Sequence, residues 1–165
     1  MKYTMSVLVE NRPGVLSKVA GLFARRGFNI ESLAVGVTED PAVSRMTIVV
    51  DGDEYLVEQV EKQLNKVIPV IKVKTLTGAF LSRTLTLLKV TVNTGDRAEV
   101  MRVAGLMGAR ILDATRTTLT MEFSDTAERT ETLETLLRPF GIKEIVRTGI
   151  IAMEKGPDAT RVAKK

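Results

Sequence analysis

The sequence predicts an α+β fold in which the element order β-α-β-β-α-β occurs twice. Three observations carry this. Short runs rich in Val, Leu and Ile read as strands, the segments between them place apolar residues on one helical face, and the second half repeats the order of the first with different residues. The 165 residues suit one medium domain or two small ones, each of which needs support from a neighbour or partner.

In the first half, Met5 to Val9 alternates and reads as a strand, which Arg12-Pro13-Gly14 breaks. Val15, Leu16, Val19, Leu22 and Phe23 then share a helical face, with Lys18 and Arg25 turned away. Arg25 and Arg26 suit the negative end of that helix, Gly27 the left-handed position that closes it, and Phe28 the apolar residue beyond. Ile30 to Val37 and Arg45 to Val50 form a hairpin around the turn Glu39-Asp40-Pro41. Gly52-Asp53 opens a second helix with Leu56, Val57, Val60, Leu64 and Val67 on its apolar side and a Glu58–Lys62 pair outside. Pro69 ends it, and Val70 to Val73 supplies a fourth strand. This is the ferredoxin-like order.

In the second half, Leu85 to Val92 is a strand. Asp96 with Glu99 reads as a capping box for a helix lined by Val100, Val103, Ala104 and Met107, and Gly108 stops it. Arg110 to Asp113 and Leu119 to Phe123 are the middle strands. Asp125 with Glu128 caps another helix, whose buried side holds Leu133, Leu136 and Leu137. Pro139-Phe140-Gly141 turns the chain into a last strand, Ile142 to Ile151. The expected domains are residues 1–76 and 82–155, joined by a linker at 77–81 that contains Gly78. A flexible tail at 156–165 opens with Gly156-Pro157-Asp158.

Composition narrows the chemistry. Cys and His are both absent, which excludes disulfides, thiolate nucleophiles, Cys/His zinc sites and any histidine base. Carboxylate or lysine chemistry remains open, but Glu39-Asp40, Asp51 with Asp53, and Glu31 have no spacing that demands a metal or acid–base work. Turns and caps account for them. No glycine-rich phosphate loop occurs, and Ser6, Ser17, Ser32 and Ser44 lack a base. Net charge is +4, with Arg161, Lys164 and Lys165 in the tail. At 4% aromatic content the chain has few stacking platforms for single strands, so no nucleic-acid partner is expected. No apolar run is long enough to span a bilayer and no secretory leader is read, so no membrane partner and a cytoplasmic location are expected.

The most informative local feature is Asn11-Arg12-Pro13-Gly14-Val15-Leu16, a strand end running into a helix start. The first N–H groups of a helix lack intrahelical partners and carry partial positive charge, so a carboxylate fits there without a basic side chain. Gly14 lets a ligand approach the backbone, and the Asn11 amide offers a donor and an acceptor to an amino-acid zwitterion. The same residues have a structural reading, since Asn caps helices and Pro and Gly make turns. Judged alone, the loop favours the structural reading, as does Asn29, a turn residue ahead of the second strand.

The segments Glu10-Asn11-Arg12-Pro13-Gly14-Val15-Leu16-Ser17-Lys18-Val19 and Gly21-Leu22-Phe23-Ala24-Arg25-Arg26-Gly27-Phe28-Asn29-Ile30-Glu31-Ser32-Leu33 strongly resemble the acetolactate (acetohydroxyacid) synthase small subunit. Ser44-Arg45-Met46-Thr47-Ile48, Glu61-Lys62-Gln63-Leu64, Phe140-Gly141-Ile142 and Glu144-Ile145-Val146-Arg147-Thr148-Gly149 continue the resemblance over all but the tail. Asn-Ile-Glu-Ser-Leu is its most specific part, whereas many ACT domains share the Pro-Gly turn. Many relatives have Phe-Arg where this chain has Met107-Gly108, which leaves the surface of the second domain open.

The resemblance implies that the first domain is an ACT domain that pairs with a second copy into a homodimer. It implies an amino-acid effector, L-valine, bound at that interface by Asn11, Gly14, Val15, Leu16, Asn29 and Ile30. Gly14, Val15 and Leu16 would offer backbone N–H groups to the carboxylate, Asn11 and Asn29 would satisfy polar groups, and Ile30 would wall the side-chain pocket. The resemblance further implies a regulatory, non-catalytic chain that holds no cofactor. Thiamine diphosphate, FAD and Mg would reside on a separate catalytic large subunit, which this chain activates and makes sensitive to feedback by valine. Two other readings rank below it: a free-standing ACT-type sensor controlling another protein, and a ferredoxin-like enzyme with an unrecognised carboxylate site.

Overall fold

The computed structural model describes residues 1–162; residues 163–165 of the expected tail lie outside the described residues. The elements are β1 (Lys2–Glu10), α1 (Val15–Arg26), β2 (Ile30–Val37), β3 (Val43–Asp51), α2 (Glu54–Leu64), β4 (Val70–Thr75), β5 (Phe80–Thr91), α3 (Arg97–Met107), β6 (Arg110–Ala114), β7 (Thr118–Asp125), α4 (Ala127–Leu137), a 3-10 turn at Arg138–Phe140, β8 (Ile142–Arg147) and β9 (Ile151–Glu154). The chain forms two compact units. One comprises Met1–Leu81 together with the chain from Gly149 onward, the other Ser82–Thr148. Each is built on the expected ferredoxin-like plan, with sheet orders β2-β3-β1-β4 and β6-β7-β5-β8.

In the first unit, Met5, Val7 and Val9 of β1 and Met46, Ile48 and Val50 of β3 meet Val15, Val19, Leu22 and Phe23 of α1 and Val57, Val60 and Leu64 of α2. Helix α1 ends as its sequence dictates. Gly27 takes φ 68°, its N–H donates to Ala24 O and that of Phe28 to Phe23 O, and the Phe28 ring meets Phe23 edge-on with centroids 6.5 Å apart. Asp53 caps α2, its carboxylate accepting from Leu56 N–H at 2.8 Å.

The other face of this sheet departs from the sequence reading. Alternation from Met5 to Val9 predicts one wet face, yet Ser6 and Leu8 are as buried as their neighbours, and Thr47 and Val49 of β3 likewise. The returning C-terminal segment covers that face, with Ala152 and Thr160 buried. It is tied down by Lys74–Glu154 (2.6 Å), by Lys155 N–H to Ala79 O (3.1 Å), and by Arg45, which donates to Thr160 O and to Ser6 Oγ. Sequence reading carries the second domain to residue 155 and leaves 156–165 flexible. In the structure the chain from Gly149 packs with the first unit, and the described part of the tail includes a buried Thr160. The expected last strand, Ile142 to Ile151, is two strands, Ile142–Arg147 and Ile151–Glu154, each of which pairs with β5. The expected linker at 77–81 runs into β5 from Phe80.

The second unit repeats the pattern. Leu88, Val90 and Val92 of β5 and Leu119, Met121 and Phe123 of β7 pack on Val100, Val103 and Ala104 of α3 and Leu133 and Leu137 of α4. Gly108 closes α3 with φ 82°, as Gly27 closes α1. Three local expectations fail. Asp96 makes no side-chain cap; instead Asn93 Oδ1 accepts from both Gly95 and Asp96 N–H at 2.8 Å. Helix α4 is capped by the Thr126 hydroxyl, which accepts from Arg129 N–H, whereas Asp125 accepts from Thr126 N–H and pairs with Arg129. Leu136 is 45% exposed, and Thr130 takes the buried place beside Leu133 and Leu137.

Candidate effector site

The turn after β1 is shaped by its neighbours. Asn11 N–H donates to Ala42 O, and Asn11 Nδ2 donates to Pro41 O, both at 2.8 Å, so the loop is held against the β2–β3 turn. That turn is itself closed by Asp40, whose Oδ1 accepts from Ala42 N–H at 2.9 Å. Arg12 Nε lies 2.7 Å from Glu10 Oε2, so its charge is paired. Gly14 adopts φ 83°, a left-handed conformation open to glycine at little cost, and a Cβ placed there would meet nothing within 4 Å.

These contacts leave α1 with an unguarded N-terminus. No side chain caps it, its first turn holds no acidic residue, and its first hydrogen bond runs from Lys18 N–H to Gly14 O (3.1 Å). Among the described residues no side chain accepts from the N–H groups ahead of Lys18, the arrangement that favours an anion. Asn11, expected either to cap the helix or to offer both amide groups, does neither. Its donor is spent on Pro41, and its Oδ1 accepts no hydrogen bond among the described residues. The site therefore offers backbone donors to a carboxylate and a carbonyl acceptor to an ammonium group. Leu16, 45% exposed, flanks it, while the Val15 side chain is buried in the core below.

Of the expected residues, the structure brings together Asn11, Gly14, Val15 and Leu16, and sets Asn29 and Ile30 apart. Ile30 and Tyr3 both pair with Val50, whereas Glu10 pairs with Val43. Seven residue steps of β1, from Tyr3 to Glu10, thus separate the two groups along the sheet, about 23 Å at strand rise. Pro41, expected only as a turn former, anchors Asn11 through its carbonyl. The groups of Glu39-Asp40, Asp51 and Asp53 do not converge, and among the described residues no cluster of three or more Asp or Glu side chains is arranged to hold a metal. No helix is long and apolar enough to cross a membrane among the described residues.

A βαββαβ unit whose first strand feeds an uncapped, glycine-led helix places the first half of the chain among ACT-type domains. Residues 5–72 match the family model described as the AHAS small subunit-like ACT domain, and residues 83–156 match that described as the small subunit of acetolactate synthase. The probable acetolactate synthase small subunit of Archaeoglobus fulgidus is 49% identical over 156 residues, covering 94% of this chain and 98% of its own. The acetolactate synthase small subunit of Mycobacterium leprae is also 49% identical, covering 94% and 92%. The crystal structure of the acetolactate synthase small subunit from Thermotoga maritima superposes with a TM-score of 0.89 at 37% identity, covering 96% of this chain and 99% of that one. The chain belongs to the acetolactate synthase small-subunit family.

Proposed function

We propose that this chain is the non-catalytic regulatory subunit of acetolactate synthase in branched-chain amino acid biosynthesis. It activates a catalytic large subunit that carries thiamine diphosphate, FAD and Mg, and confers feedback inhibition by L-valine in the cytoplasm. No nucleic acid or membrane takes part in this reading.

The observation that carries it is the uncapped start of α1 beside the unused carbonyl of Asn11. A free amino acid supplies what this site lacks: a carboxylate for the N–H groups of Gly14, Val15 and Leu16, and an ammonium for Asn11 Oδ1. The separation of Asn29 and Ile30 from this loop argues for a site shared by two chains. Strand β2 lies at the sheet edge, and its end at Val37 pairs with Ser44, the partner of Val9. Two β2 edges joined antiparallel would bring Asn29 and Ile30 of one copy to the loop of the other. Dimerisation is then part of effector binding, and valine regulates by binding one state of the assembly more tightly than another. Valine, leucine and isoleucine differ by at most about one methylene, about 1–3 kcal/mol in a formed pocket, so valine selectivity rests on the fit of Leu16 and Ile30.

The decisive experiment is reconstitution with the catalytic subunit of the same organism. The expected result is a rise in acetolactate formation on adding this chain, reversed by valine. No change in rate on saturating addition would refute the reading.

A further inference from the structure

The C-terminal segment does more than cover a sheet face, because it meets β2 next to the residues assigned to the effector. The β2–β3 ladder shifts register between Ile30 and Ser32, leaving Glu31 as the extra residue of a bulge. A bulge forfeits a ladder hydrogen bond and lets the strand bend, so the start of β2 is weakly fixed by its own sheet. Glu31 itself is tied to β1 by its ion pair with Lys2 (3.0 Å), and the backbone beyond it is held by the returning chain. Ile150 N–H donates to Ser32 Oγ at 2.8 Å, and Gly149 lies so close to β2 that a Cβ there would run into the carbonyl of Leu33 and the amide of Ala34. The atoms in the way are backbone, which cannot rotate aside as a side-chain tip can. Beyond this point β9 and the segment through Thr160 are pinned by Lys74 and Arg45. The clamp on β2 is therefore anchored on the far side of the sheet from the helices.

We infer that Ser32 and Gly149 are positioning residues for the effector site: through them the C-terminal segment holds the bulged start of β2, and so Asn29 and Ile30, in the place the effector needs. The inference rests on the effector reading above. Reciprocity follows, since a segment whose docking favours effector binding is itself held more firmly when the effector is bound.

The test uses the full chain and L-valine, with calorimetry for affinity and amide hydrogen exchange for residues 28–34 and 150–160. Ser32→Ala removes one neutral hydrogen bond and should weaken valine binding about three- to tenfold. Ser32→Thr keeps a hydroxyl acceptor and should bind within about twofold of the parent, a rescue that general destabilisation would not give. Gly149→Ala should weaken binding at least as much and speed exchange in both segments even without valine, and valine should slow exchange at 150–160 in the parent. Parent-like valine affinity in both Ser32→Ala and Gly149→Ala overturns the inference while leaving the effector reading intact. Failure of the parent chain to bind valine, leucine or isoleucine overturns both.

Discussion

On the proposed function, replacing Gly14 with aspartate puts a carboxylate where the effector's own carboxylate would sit. The cost to the fold is small. A non-glycine residue at φ 83° costs about 1 kcal/mol, and the space around a new Cβ is open. An acidic group at a helix start returns about 0.3–1 kcal/mol by facing the positive end of the dipole. The two nearly cancel, and the melting temperature of Gly14→Asp should stay within a few degrees of the parent. Binding is another matter. Two unit negative charges about 4 Å apart repel by roughly 1 kcal/mol in bulk water and about 4 kcal/mol at an effective dielectric near 20. The exposed loop, once covered by a ligand, lies between these limits, so valine affinity should fall between about fivefold and a thousandfold. Calorimetric titration of the two proteins with L-valine measures this. Gly14→Ala is the control, carrying the backbone strain without the charge, and should lose no more than about fivefold. The reasoning is refuted if Gly14→Asp binds as the parent does, or if Gly14→Ala loses as much as Gly14→Asp, since strain and not charge would then be responsible.

Three further outcomes follow from the packing. Phe28→Ala removes the edge-on ring contact with Phe23 that seals the end of α1, and should cost the first unit about 2 kcal/mol in urea unfolding; a loss under about 0.5 kcal/mol would refute the seal. The Asp125 carboxyl is held below the usual carboxylate range, first by the hydrogen bond from Thr126 N–H and then by Arg129. A lowered folded-state pKa gives stability that is present in full above the ordinary value near 3.8 and lost as pH falls through the folded value. The urea midpoint should accordingly fall more steeply below about pH 4 in the parent than in Asp125→Asn, and equal slopes would remove Asp125 from the account. Deleting residues 149–165 should expose Leu8 and Val49 and lower the stability of the first unit, read as a drop in its urea midpoint; an unchanged midpoint would mean that the cover contributes nothing.

Much of the fold follows from local pattern. The spacing of Val15, Val19, Leu22 and Phe23 makes one helical face, and Gly27 with Phe28 ends that helix because a left-handed residue followed by an apolar one satisfies its last carbonyls. The same logic places Gly108, and both β-α-β-β-α-β units come out in order because each element carries its own period. Caps were less legible. Asp96 and Asp125 match the cap pattern in type and spacing, but Asp96 sits in helical backbone (φ −92°, ψ −20°) and caps nothing, and the extended backbone that capping α4 needs falls to Thr126.

The loop at Asn11 and Gly14 was visible as a strand end meeting a helix start, though sequence could not decide between cap and ligand site. The structure decides against the cap, since Asn11 is bound to Pro41, thirty residues away. Ser32 and Gly149 left no local signal, because Ser32 meets Ile150 and Gly149 meets Leu33, residues more than a hundred positions away in each case. So did the covering of the first sheet. The strand run Met5-Ser6-Val7-Leu8-Val9 reads as alternating, and only the return of the C-terminal segment settles that both faces are buried. The elements and the turn that feeds α1 are legible from local pattern, because they depend on residues close in the chain. Tertiary structure alone decided the unit boundary, the buried second face and the clamp on β2, because each depends on which distant surface a segment finds to bury against.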